Sequence, residues 1–366
     1  MSYVSSDQTL RNSCTRFLSY HHPRNTRQWL LELAEDATLP DEMDFYGTGG
    51  CLDAIESEFA ALLGKPAAVF MTSGTSAQQA ALRVWADLSG RRAVAIHPQA
   101  HIHRDELAAY ERLHGLTGVP LTHEPRYPQA TDFQALLEPV GTLCVELPLR
   151  RLTYALPEWN ELVALIDAAR ATGAHIHLDG ARLLECCPYY GRTPAEIAAL
   201  ADSVYVSVYK GLGGIAGAVL AGPVPFVAAS KVWQHRHGAR LHSVFPLAMA
   251  AIAGLKRHSS RIPEYVARAR ELALALRDVP SLTAIPEAPH TNAFQLHFHG
   301  MSAAVLQKTH AGQAAATGSW LFNWFQSSPI PGATFADVVV GDAFDRWSVA
   351  EAAFAIRDLA QRSHGA

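Results

Sequence analysis

Between about residues 65 and 222 the sequence alternates short β-rich runs with helical stretches, and this alternation constrains the fold more than any other feature. Such alternation predicts parallel strands joined by crossover helices. Strands are predicted at 67–71, 92–97, 119–123, 142–147, 174–179, 202–209 and 216–222. We therefore expect an α/β fold built on a mostly parallel, seven-stranded sheet.

The rest of the chain has a different pattern. Past residue 225 the sequence becomes helical, and residues 280–366 mix short strands with helices, which predicts a smaller α+β domain. We expect a large domain at 45–255 and a small domain formed by 1–44 together with 256–366. Between the strands of the large domain, helices are predicted at 76–88, 104–115, 132–140 and 157–173.

Composition excludes several classes of function. A formal net charge of −4 leaves no basic excess to displace counterions from nucleic acid. The longest apolar stretches, such as residues 245–255, are shorter than the ~20 residues that a membrane span needs. The start of the chain lacks a secretory pattern, and its five cysteines form no CxxC pair, which is typical of reduced thiols. We expect a soluble, cytoplasmic protein that binds neither nucleic acid nor a membrane.

Ser73, Gly74 and Thr75 stand between a predicted strand and a predicted helix. Unpaired N–H groups and the positive end of the helix dipole suit a phosphate at such a junction, and the hydroxyls add donors. The same residue types are also ordinary helix caps. By itself the tripeptide fits a phosphate loop or a plain cap.

A predicted strand ends at Asp179, after His175 and His177, and Arg182 follows it. Open α/β sheets bind ligands at the carboxyl ends of their strands, where a carboxylate can hold a buried cationic nitrogen. An arginine just beyond suits a bidentate hold on a substrate carboxylate. The alternative is a structural Asp–Arg pair that ties the strand end to a helix.

Lys210 follows an apolar strand directly and precedes a glycine-rich turn. A charged amine is costly to bury, so its pKa falls there and the amine becomes nucleophilic. The other lysines stand at a helix end or in helical stretches, which are solvated positions: Lys65, Lys231, Lys256 and Lys308. Lys210 is therefore the candidate for covalent catalysis through an amine.

The candidate phosphate loop is followed by Asp179, and Lys210 comes 31 residues after Asp179. This is the order found in pyridoxal-phosphate (PLP) enzymes of the aspartate-aminotransferase fold, fold type I. The sequence resembles the low-specificity threonine aldolases of the β-eliminating lyase superfamily, from about Tyr46 to Gly222 and more weakly beyond. The segments that carry the resemblance are Tyr46-Gly47, SGTSAQQAALR, AHI with Glu106, HLDGAR, Lys-Gly-Leu-Gly and Thr291-Asn292.

The resemblance implies a role for each matched residue. Lys210 would bind PLP covalently, Asp179 would pair with its pyridine nitrogen, and His101 would stack on its ring. The phosphate would be held at Ser73, Gly74 and Thr75. The substrate would be bound by Arg182 and by Ser6 of the N-terminal segment. The resemblance also implies a homodimer or a homotetramer.

Two departures from the family pattern concern the substrate. The histidine that acts on a substrate hydroxyl falls at Leu149, and a C-terminal arginine falls near Asp337. Arg150, Arg151, Arg236 and Arg240 are candidates to replace the missing groups. We therefore expect slow cleavage of threonine, and a preferred substrate with a different β-substituent.

The sequence predicts a PLP-dependent lyase that acts on an amino acid, by aldol-type Cα–Cβ cleavage or synthesis of a β-hydroxy-α-amino acid. The alternatives are PLP-dependent β-elimination or replacement, and transamination. A metal enzyme that uses the four HxH pairs is a remote alternative, because 18 histidines produce such pairs by chance. We expect no metal. A non-catalytic binding protein is disfavoured, since it would have no use for a buried amine.

Overall fold

The computed structural model describes residues 8–36 and 38–364. The chain divides into two compact units. The larger unit runs from Asn25 to Ser260, and the smaller combines the residues up to Arg24 with those from Arg261 onward. The predicted large domain, 45–255, differs from this unit because residues 25–44 and 256–260 also make their contacts within it.

The described part of the larger unit contains seven strands, all in one sheet. They are β2 (Ala67–Met71), β3 (Ala93–Ile96), β4 (Thr117–Pro120), β5 (Thr142–Glu146), β6 (His175–Asp179), β7 (Ser203–Ser207) and β8 (Ala218–Gly222). The strand order is β2-β8-β7-β6-β5-β3-β4. Strand β8 runs antiparallel to both of its neighbours, and the other pairs are parallel. The predicted mostly parallel, seven-stranded sheet is confirmed.

Helices cover the sheet, and every residue of β5, β7 and β8 is therefore buried. Burial of both faces explains why these strands are largely apolar. The helices of this unit are α2 (Thr26–Glu35), α3 (Gly50–Leu62), α4 (Gly74–Ser89), α5 (His101–Arg104), α6 (Ala109–His114), α7 (Ala130–Gln134), α8 (Trp159–Arg170), α9 (Leu183–Tyr190), α10 (Pro194–Ala198), α11 (Val224–Arg236) and α12 (Phe245–His258). Helix α4 packs its alanines against β2, β7 and β8 in one core cluster.

The predicted helix 104–115 is wrong in its extent, because the structure breaks it into α5 and α6. Residues 105–108 leave the helical path, and Leu107 and Ala108 have a positive φ of 55°. The Asp105 carboxylate accepts two hydrogen bonds from Arg151, and Glu106 turns inward toward Gln79. These tertiary interactions outweigh the helical preference of the segment.

The smaller unit is α+β, as predicted. Its strands are β1 (Arg16–Phe17), β9 (Leu282–Ile285), β10 (Ala293–His299), β11 (Ser319–Trp320), β12 (Gln326–Ser327) and β13 (Ala333–Val339). Four of them form an antiparallel sheet in the order β12-β13-β10-β9, and β1 pairs with β11 in parallel. Its helices are α1 (Gln8–Ser13), α13 (Ile262–Leu276), α14 (Ala303–Thr317) and α15 (Val349–His364). Among the described residues, no helix is both long and apolar enough to cross a membrane.

Candidate active site

Three polar side chains stand next to one another where β5, β6 and β7 approach their carboxyl ends. In the sheet register Glu146 lies opposite Asp179, and Asp179 lies opposite Tyr205. All three are buried, and all three line the same cavity. The sheet thus presents a ligand-binding edge of the kind common to open α/β folds.

The cavity collects four residues predicted from the sequence: His101, Asp179, Arg182 and Lys210. Arg150, one of the four candidate arginines, also lines it, together with two polar residues to which the sequence assigned no role, Glu146 and Tyr205. Glu146 ends the strand beside that of Asp179, and the register of these two strands brings the two carboxyls together. Ala181 and Pro148 complete the wall.

Lys210 lies three residues beyond the end of β7, and it lines the cavity. Burial of the amine, followed by repulsion from the Arg182 guanidinium, lowers the pKa of Lys210 to about 8. A larger fraction of the amine is therefore neutral near physiological pH than for a solvated lysine. A neutral amine is the nucleophilic form.

Asp179 and Glu146 are close enough to influence each other's charge. Burial raises the pKa of both carboxyls, and the charge of Asp179 raises the pKa of Glu146 further. His101 and Lys210 act in the opposite direction on Asp179. A cationic nitrogen held beside Asp179 would offset the cost of its burial.

His101 begins helix α5 and is held from two sides. Its backbone N–H donates to Glu146 Oε2 at 2.7 Å, and its Nδ1 lies 3.3 Å from Glu106 Oε1. Glu106 is buried and accepts from Gln79 Nε2 at 2.8 Å. Burial works to lower the pKa of His101, but the Glu106 hydrogen bond and the charge of Asp179 outweigh it, so the pKa is raised. The imidazole therefore has a fixed orientation and readily carries a proton.

The predicted phosphate loop begins helix α4. The Ser73 hydroxyl accepts from the backbone N–H of Ser76 at 3.2 Å, which confirms a capping role but does not exclude a phosphate. A Cβ on Gly74 would lie 2.2 Å from the Tyr205 hydroxyl, so only glycine fits there. The loop is thereby brought beside the cavity, and together these residues fit PLP: an amine, a buried acid and a helix N-terminus for the phosphate.

The other residues that the sequence relates to substrate binding lie in different surroundings. The Arg182 guanidinium is buried, with its carbon 5.3 Å from the ring centroid of Tyr154. Ser6 lies outside the described residues. Leu149 does not line the cavity: it is 1% exposed and packs in an apolar cluster with Ile96 and Ile102.

The HxH histidines engage in other interactions. Among the described residues, none of them belongs to a cluster of three ligand atoms close enough for a metal ion. His177 contacts Ser203 and Gln78 through its two ring nitrogens, at 2.8 and 2.6 Å. Its burial lowers the pKa of this imidazole to about 3, so it stays neutral. His297 makes a similar contact with Ser328.

Comparisons with known proteins agree with this geometry. The low-specificity L-threonine aldolase 1 of Arabidopsis thaliana is 27% identical over 254 residues, 65% of this chain and 69% of that protein. A candidate aromatic amino acid β-eliminating lyase/threonine aldolase from Exiguobacterium has a crystal structure that superposes with a TM-score of 0.89. It is 35% identical, over 96% of this chain and 99% of its own. A candidate L-allo-threonine aldolase from Listeria monocytogenes gives a TM-score of 0.89 at 34% identity, covering 99% of each chain.

These likenesses confirm the predicted fold, that of PLP-dependent enzymes of fold type I. The model of the β-eliminating lyase family matches residues 30–300. That stretch contains the whole seven-stranded sheet and every residue that lines the cavity. The chain therefore belongs to the β-eliminating lyase family of PLP-dependent enzymes.

Proposed function

We propose that this protein is a PLP-dependent lyase that cleaves or forms the Cα–Cβ bond of a β-hydroxy-α-amino acid. The observation that carries the proposal is the meeting of Lys210, Asp179, Arg182 and His101 in one cavity. The names of the aldolase relatives support the same reaction. When bound, PLP supplies a sink for the electrons released at the substrate Cα.

Each residue of the site has a task in this proposal. Lys210 offers the amine that attaches the cofactor, and its lowered pKa makes that amine available. The Asp179 carboxylate would pair with the protonated pyridine nitrogen, and the α4 N-terminus at Ser73, Gly74 and Thr75 would bind the phosphate.

The other two side chains act on the substrate and on the proton. Arg182 binds the α-carboxylate, which fixes the bond that will break. His101 would stack on the cofactor ring, and its raised pKa would let it hold a proton next to the reacting atoms. The Glu106 carboxylate fixes the direction in which its imidazole points.

Product analysis tests the reaction type. The purified enzyme is incubated with a panel of β-hydroxy amino acids, and released aldehyde, keto acid and ammonia are measured separately. Aldehyde with glycine supports the proposal, whereas keto acid with ammonia would show elimination, and keto acid without ammonia would show transamination. The exposed Lys308 provides a matched control: Lys210→Ala should lose the visible absorbance and the borohydride-reducible adduct, and Lys308→Ala should keep both.

Assembly and location are further parts of the proposal. We infer that the enzyme works as a homodimer or as a homotetramer of two such dimers, since the resemblance to its family implies this. A cytoplasmic location is supported by the five cysteines, all of them free. The substrate is a small amino acid, and neither nucleic acid nor a membrane is expected as a partner.

A further inference from the structure

Tyr205 is a buried tyrosine on β7, the strand that leads to Lys210. In the sheet register it lies opposite Asp179 of β6. The residue is 4% exposed, and it lines the same cavity as Asp179 and Lys210. The strand thus brings a phenol into the site beside the acid and the amine, and the proposed function gives this phenol no task.

The hydroxyl of Tyr205 faces the first residue of helix α4. A Cβ on Gly74 would lie 2.2 Å from this oxygen and 2.9 Å from the ring carbon that carries it. The hydroxyl is thus the part of the side chain that is nearest to Gly74. Gly74 begins α4 after the Ser73 cap, where the backbone N–H groups of the first turn have no partner within the helix. Tyr205 therefore joins the cavity of Lys210 to the loop that would bind the phosphate.

The phenol keeps its proton and can donate a hydrogen bond. Burial raises the pKa of Tyr205 well above its ordinary value, and the charge of Asp179 raises it further, whereas the Ser207 hydroxyl lowers it by less. A phosphate monoester offers strong acceptor oxygens. Hydrogen bonds to an ionised acceptor are roughly twice as strong as those between neutral groups. A protonated phenol beside the phosphate loop is therefore well suited to bind a phosphate.

We propose that Tyr205 is a cofactor-binding residue whose hydroxyl donates a hydrogen bond to the phosphate of PLP. This inference rests on the proposed function, which requires PLP in this cavity. The start of α4 offers backbone donors and the positive end of a helix dipole, and β7 adds a side-chain donor from a second element. Because β7 also leads to Lys210, one strand holds the phosphate and positions the amine that attaches the ring. The contact favours PLP over pyridoxal, which lacks the phosphate.

Comparison of PLP with pyridoxal measures this contact apart from catalysis. The two ligands share the ring and the aldehyde that reacts with Lys210, and they differ in the phosphate alone. The full-length protein, freed of its cofactor, is titrated with each, and the visible absorbance of the adduct with Lys210 gives the dissociation constants. Tyr205→Phe should weaken PLP binding by about 10-fold or more, as expected for the loss of a hydrogen bond to a charged group, and should leave the constant for pyridoxal unchanged.

Tyr110→Phe is the matched control, because it also removes one buried hydroxyl that lies against a glycine. A Cβ on Gly118 would lie 2.2 Å from the Tyr110 hydroxyl, yet Tyr110 does not line the cavity. This variant should leave the ratio of the two dissociation constants unchanged, whatever it does to stability. Equal weakening of both ligands by Tyr205→Phe would overturn the proposal, since it would place the hydroxyl at the ring. Two unchanged constants in that variant would also overturn it. If the wild-type protein forms no adduct with PLP, the proposed function itself fails.

Discussion

Leu149→His offers a direct test of how the loop after β5 is folded. The position is where an aldolase would be expected to carry a histidine that acts on the substrate hydroxyl. In the structure Leu149 instead packs in one apolar cluster with Leu82, Ile96, Ile102 and Tyr110, and it does not line the cavity that contains Lys210. A histidine introduced there would enter an apolar core. We therefore expect the variant to lose stability without gaining threonine cleavage.

The size of the effect follows from two contributions. Removing a fully buried leucine side chain loses roughly 1.5–3 kcal/mol of hydrophobic stabilisation. Burying an imidazole without a hydrogen-bond partner costs about 1–3 kcal/mol more. The polar residues of the small cavity that Leu149 lines already have partners. His97 contacts the Arg126 carbonyl, and the Tyr127 hydroxyl donates to the Glu146 carbonyl. The Glu146 carboxylate accepts from two backbone N–H groups. The free energy of unfolding should fall by about 2.5–6 kcal/mol.

Urea unfolding followed by intrinsic fluorescence measures the loss of stability, and aldehyde release measures threonine cleavage. Leu149→Met is the matched control, since a swap that conserves volume usually costs less than about 1.5 kcal/mol. A Leu149→His protein that is as stable as the wild type and cleaves threonine faster would refute this reasoning. Such a result would mean that residue 149 faces the substrate.

Four further predictions concern the cofactor site and assembly. Asp179→Asn should retain PLP, as measured by absorbance, but should lose most of its turnover, since a neutral amide does not keep the pyridine nitrogen protonated; turnover near that of the wild type would contradict this role. In the cofactor-free protein, covalent capture of PLP should accelerate as pH rises through about 8, the pKa of Lys210, and Arg182→Gln should move this midpoint upward because it removes a repelling charge. A wild-type midpoint near 10 would exclude a lowered pKa. Gly74→Ala should weaken PLP binding and lower stability by about 1–3 kcal/mol through overpacking, as its Cβ would lie 2.2 Å from a buried tyrosine hydroxyl, whereas Gly312→Ala, with no atom within 4 Å, should do neither. Light scattering should show a dimer or a tetramer, and an active monomer at assay concentration would contradict the proposed homo-oligomer.

The sequence predicted best where local pattern and tertiary structure agree. Strand β2 has the predicted bounds, 67–71, because its apolar residues are buried as a strand requires. The break at 105–108 was not predictable, since it depends on an ion pair with Arg151, 46 residues away along the chain. Secondary structure that depends on distant partners leaves no local signal.

The same distinction applies to the site. Lys210 and Asp179 could be identified because a charged residue at the end of an apolar strand is costly unless it has a function. Glu146 required the register of two strands, which the sequence does not contain. Arg150 could only be named as one of four candidate arginines. Two of the other candidates have structural partners outside the cavity. Arg151 pairs with Asp105, and Arg240 donates to the Tyr46 carbonyl.

The loop after β5 explains why the reaction has to be tested by its products. Leu149 and Arg150 are neighbours in the chain, yet the first is buried in the core and the second lines the cavity. The residue after Leu149 that lines the cavity is therefore a permanent cation, whereas a histidine could exchange a proton. A guanidinium stays protonated at physiological pH, so Arg150 cannot act as a general base. If aldol cleavage occurs, its proton transfer must be carried by another group of the cavity, and His101, oriented by Glu106, has the position and the raised pKa for that task.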